Sequence, residues 1–149
     1  MTRNHRKTLL LAAALSMMAG QSVQARDDHL RFPIADALAT PDAQAKVDPK
    51  IKLYWGPQQF PTPVQQMGEF TSNKKTNAFN KSDKDACNWA FLSAVVSLQE
   101  RATREGGNAV VNIHSVYRNE DVSSDSEYVC GAGKLMSGVA LRGTVVKLH

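Results

Sequence analysis

The chain has 149 residues, 42% of them hydrophobic, and carries 18 lysines and arginines against 14 aspartates and glutamates. That length supports one domain with a modest core. Arg3, Arg6 and Lys7 hold most of the basic excess, and the remaining chain balances fifteen basic against fourteen acidic residues; net charge therefore gives no argument for a nucleic-acid partner.

In chain order, residues 1–25 read as an export signal. A basic start is followed by the apolar run "TLLLAAALSMMAG", which is too short for an ordinary membrane span. Val23-Gln24-Ala25 then places small residues where signal peptidase cuts, between Ala25 and Arg26. The expected mature chain begins at Arg26, is periplasmic or secreted, and has no membrane span. No cysteine follows the apolar run to carry a lipid.

Residues 26–50 are polar and broken by Pro33, Pro41 and Pro49. They read as a loosely structured N-terminal arm, with one or two helical turns in "IADALAT" and in "DAQAKV". The single domain is expected over residues 51–149. "IKLYWG" alternates as a strand, with Ile51, Leu53 and Trp55 on one face. Pro57, Pro61 and Pro63 stop regular structure after it, because they cannot donate to a ladder. "VQQMGEFTSNKKT" forms a second strand, with Phe70, Val64 and Met67 inward and a bulge at Gly68. Lys74, Lys75, Lys81 and Lys84 read as a solvated cluster.

The stretch "DACNWAFLSAVVSLQERA" is the core of a long helix. Ser82 or Asp83 caps its start, Asp83 and Asp85 complement its dipole, and Gly106-Gly107 ends it. Trp89, Leu92 and Val96, with Ala90, Phe91, Val95 and Leu98, make a wide apolar surface, and the polar end begins at Gln99. "NAVVNIHSVYR" follows as a strand of period two, placing Ala109, Val111, Ile113 and Tyr117 on one face. The acidic loop "NEDVSSDSE" leads to "YVCGAGK", and "SGVALRGTVVKL" is the last strand, with Val139, Leu141 and Val145 sharing a face. This order predicts an α+β fold of ββαββ type: a mostly antiparallel sheet with one long helix packed on one face.

Cys87 lies where the helix begins, a position that either acidifies a thiol or anchors a disulfide. A catalytic thiolate needs a base, and His114 is the available one, but no cysteine-hydrolase signature surrounds it. An even cysteine count in an exported chain favours a Cys87–Cys130 bond instead. Closing that loop stabilises the fold by roughly 4 kcal/mol in the chain-entropy model. His114, Asp121, Asp125 and Glu127 are the candidates for a weak metal site, although the loop lacks the calcium-binding pattern. Tyr54 and Trp55, beside the proline-rich loop, are candidates for an exposed aromatic partner contact. No cofactor motif is present.

Two stretches resemble a known group. "NKKTNAFNKSDKDACNWAFLSAVVSLQERATREGGNAVVNIHS" and "EYVCGAGKLMSGVALRGTVVKL" are similar to small exported proteobacterial proteins that circulate under the label "excinuclease ATPase subunit". The label does not fit these residues. A phosphate loop needs GxxxxGK[ST], and here the first glycine position is Tyr128 and the hydroxyl position is Leu135. More distantly, the Gly-Gly–"NAVVNI" element is similar to a small putative heavy-metal-binding family and to the Rcs-pathway sensor lipoprotein. That likeness implies a βαββ layout. The resulting expectation is a non-enzymatic cell-envelope module that binds a protein or small ligand, with weak metal binding or stress sensing as the alternative.

Overall fold

The computed structural model describes residues 24–149; the proposed leader lies outside this range except for Gln24 and Ala25. The elements are β1 (Asp28–Pro33), α1 (Ile34–Leu38), α2 (Pro41–Lys46), β2 (Lys52–Trp55), β3 (Gln65–Asn77), α3 (Asp83–Glu105), β4 (Ala109–Ser115), a 3-10 turn (Tyr117–Asn119), β5 (Glu127–Ala132) and β6 (Met136–Lys147).

The last strand organises the sheet. Along one edge β6 pairs antiparallel with β3, from Asn77↔Met136 to Gln65↔Lys147. Along its other edge it pairs first with β5 and then with β4, both antiparallel. β5 continues to β1 and β4 to β2, and β2–β4 is the parallel pair. The architecture is α+β, with α3 packed on one face of a mostly antiparallel six-stranded sheet.

Local chemistry explains α3. The Asp85 N–H donates to Ser82 Oγ at 3.0 Å, and Gly106 closes the helix in the left-handed conformation at φ 81°. Cys87, Phe91, Ala94, Leu98 and Ala102 recur at helical spacing and are buried against the sheet. Val139, Leu141 and Val145 of β6 meet them from below. Gly143 shares that face because there is no room for more: a Cβ there would lie 2.6 Å from Val110 Cγ1.

Four expectations are corrected. Residues 26–50 are not a loose arm, since β1 pairs with β5 from Asp28↔Ala132 to Pro33↔Glu127. Ile34 and Ala37 of α1 are buried in the helix–sheet core, and Leu30 and Phe32 pack against it. The domain thus includes this region, and a strand and two short helices precede the expected ββαββ order.

In β4 the period of two breaks at Asn112, which has φ 52°, and the ladder to β6 shifts between Val111 and His114. Val110 and Ile113 consequently face the helix, while Ala109 and Val111 join Val146 and Leu148 in a second cluster on the opposite face. One extra residue re-aims everything after it. Third, Val64 is 57% exposed rather than inward, whereas Met67 and Phe70 do pack inward. The bulge at Gly68 is present, with φ 102° and a register shift between Gln66 and Glu69. Fourth, Trp55 is 5% exposed and stacks on Phe91 at 5.4 Å, so it cannot contact a partner. Tyr54 is half-buried and packs with Phe60 over the second cluster.

Candidate functional site

Cys87 and Cys130 are bonded, both fully buried, with Cα atoms 5.9 Å apart. The helix-start thiol is therefore consumed in a crosslink between α3 and β5. His114 is engaged elsewhere, on β4, so the two do not form a nucleophile–base pair.

A concave surface lies on the outer side of α3, where it meets α2 and β3. Trp89 is 38% exposed. It stands two residues after buried Cys87, hence roughly 200° around the helix, and faces away from the sheet. Leu92 and Val96 form an apolar floor beside it in a cleft of about 390 Å³. Lys46 reaches over from the last turn of α2, its Nζ 4.2 Å from the Trp89 ring centroid. The position of α2 follows from its start, where the Ala43 N–H donates to Thr40 Oγ1 and Pro41 occupies the first helical turn. From the other side Lys74 of β3 approaches, on the helix-facing side of the sheet because it pairs with inward Val139.

The same groove runs on into a smaller recess of about 140 Å³, lined by Asp42, Asp85 and Asn88. It is thus basic at one end and acidic at the other, with the indole between. No protein-family model matches the chain, and no curated protein or solved structure gives a significant match.

The candidate metal ligands separate. His114 Nδ1 lies 2.7 Å from the Asn112 carbonyl, which can only accept, so Nδ1 carries the proton and Nε2 faces Asp121 at 3.5 Å. Asp125 and Glu127 lie in a turn organised by Ser124, whose Oγ accepts from the N–H groups of Ser126 and Glu127. Among the described residues no three His, Cys, Asp or Glu side chains converge on one ion position.

A charged knot between β1 and the 3-10 turn has no signature in the sequence. His29 Nδ1 lies 2.9 Å from Glu120 Oε2, and Nε2 lies 3.7 Å from Asp27. Arg118 Nε pairs with Asp27 at 2.9 Å, and Tyr117 donates its hydroxyl to the same carboxylate at 3.1 Å. Burial pushes the Tyr117 phenol up, keeping it a donor. Arg118 and Asn119 are both left-handed, at φ 47° and 63°. The carboxylates meet opposite sides of the imidazole, so the group holds the first strand to the turn and cannot close around a single ion. Ninety residues separate its halves, beyond any local motif.

Trp89 is a candidate site residue that the hydrophobic pattern places on the wrong side of the helix. The signal was available: helical angles put Trp89 nearly opposite Cys87 and Leu98, whatever the hydrophobicity of its neighbours.

Proposed function

We propose that this protein is an exported, non-enzymatic binding module of the cell envelope, periplasmic or secreted, whose ligand seats against Trp89. One observation carries the reading: a tryptophan held open over Leu92 and Val96, with lysines on both sides. An open indole beside ammonium groups favours a ligand that is anionic at one end and apolar at the other, either a small molecule or a segment of an envelope protein. Export is supported by the signal-like residues 1–25 and by the paired cysteines, which persist in an oxidising compartment. The resemblance to small exported proteobacterial proteins supports the same role, without the ATPase activity their label suggests.

Anilinonaphthalene sulfonate, an anionic aromatic dye, tests the cleft directly. The native protein is expected to bind it saturably at one site. Trp89→Ala should weaken binding roughly tenfold, as for a central aromatic anchor, with a smaller loss for Lys74→Glu. Equal dye binding by Trp89→Ala would remove the cleft from consideration.

A second reading, weak metal binding, rests on His114. A backbone carbonyl fixes its tautomer and leaves Nε2 beside a carboxylate, an arrangement typical of metal-ligating histidines. Calorimetric titration with zinc should give weak heat that disappears in His114→Ala. Absence of heat from the native protein at micromolar zinc eliminates this reading.

A further inference from the structure

We infer that β3 is a self-complementary edge through which two copies of this chain pair. β3 is long, and among the described residues its one paired neighbour is β6. Beyond Asn77 the ladder continues with the Ala78 N–H donating to the Leu135 carbonyl at 2.8 Å. That bond fixes the phase of the strand. In an antiparallel ladder the hydrogen-bonded pairs alternate, so Phe70, Ser72, Lys74 and Thr76 turn their backbone groups towards β6. Glu69, Thr71, Asn73 and Lys75 turn theirs outward, where no described backbone group meets them. The free edge begins after the Gly68 bulge and runs to the end of the strand.

The charges along this edge identify its occupant. Glu69, which also faces Arg142 of its own chain at 3.7 Å, and Lys75 lie three residues on either side of Ser72 and on the same face of the sheet. A second copy running antiparallel about Ser72 brings Glu69 opposite Lys75 of the second copy, and Lys75 opposite its Glu69. Thr71 and Asn73 face each other in the same way. All four of these pairs join outward-turned residues, giving about eight main-chain hydrogen bonds across the axis. On the helix-facing side the register sets Phe70, whose ring already carries the Arg101 guanidinium at 3.9 Å, beside Lys74 of the second copy.

Shifting by two residues keeps the hydrogen-bond phase but faces Glu69 with Asn73 or Asn77 and leaves the lysines without carboxylates. An acidic peptide on this edge would set a like charge against Glu69, whereas the chain itself carries both signs at mirrored positions. Natural edge strands are usually blunted by lysine or a bulge; here the lysine has its matching carboxylate on the same strand. The two-fold axis is perpendicular to the sheet, so both α3 helices lie on one face of a continuous sheet, as an isologous contact requires.

Sedimentation velocity and light scattering on the purified protein, disulfide intact, test the pairing. The native protein should dimerise at micromolar concentration. Glu69→Lys or Lys75→Glu alone creates two like-charge oppositions per dimer and should weaken it at least about tenfold. The double exchange Glu69→Lys/Lys75→Glu should restore affinity to within about threefold of native. A native protein that stays monomeric up to roughly millimolar concentration overturns the inference. So does a dimer that survives either single reversal.

Discussion

Replacing both cysteines, as Cys87→Ala/Cys130→Ala, is expected to lower the unfolding free energy by about 4 kcal/mol. The bond closes a loop with a sequence separation of 43, large enough for the unfolded chain to gain substantial freedom when it opens. It joins Cys87, in the second turn of α3, to Cys130, in the middle of β5. Both sulfurs are buried, so reductant reaches them only after opening, and the double substitution is the cleaner measurement. Urea titration followed by far-ultraviolet circular dichroism gives the value. A loss under about 1 kcal/mol would mean that packing alone holds α3 to β5 and that the chain-entropy account fails here.

Phe91→Ala is expected to cost a similar amount, about 3–5 kcal/mol. Phe91 is fully buried and central to a column of rings: Tyr128 stacks on it at 4.1 Å and 22°, and Trp55 at 5.4 Å and 29°. Phe32 of β1 extends the column through Tyr128 at 6.0 Å. The ring thus links β2, α3, β5 and β1. Removing it leaves a cavity walled by large, stiff side chains that cannot collapse inward. Tyr128 is doubly tied, since its hydroxyl donates to Asn88 Oδ1 at 2.7 Å and burial drives its phenol strongly towards the neutral form. Trp55 fluorescence should report the loosening before global unfolding. A red shift confined to Trp89 in the Phe91→Ala protein, with stability unchanged within about 1 kcal/mol, would contradict this account.

Where residues signal their own backbone, the sequence was legible. Ser82, Gly106 and Gly68 each force a local geometry, and the helix bounds and the β3 bulge follow from them. The alternation of β6 survives intact because a central strand constrained on both edges has no freedom to slip. Features decided at a distance were hidden. Asn112 adopts a left-handed conformation that asparagine tolerates but does not require. Gln99 looks like the start of a polar helix end, yet it is 3% exposed. Its side chain accepts from the Asp48 N–H and donates to the carbonyls of Asp48 and Ile51, fastening the segment before β2 to the helix. The site was less readable still. A cleft built from α2, α3 and β3 has no contiguous motif, and the aromatic pair beside the proline-rich loop drew attention to Trp55 because exposure cannot be told from burial in a short strand.

The central place of β6 has a consequence for the order of events in folding. β3, β4 and β5 each take their ladder from the final strand, which spans Met136–Lys147. A nascent chain that lacks these residues leaves β3 without its neighbour and the β1–β5 and β2–β4 pairs unjoined, so the six-stranded sheet cannot be completed before β6 is available. Long-range ladders also slow the final step. The complete sheet thus comes last, once its final strand joins the pairs on either side.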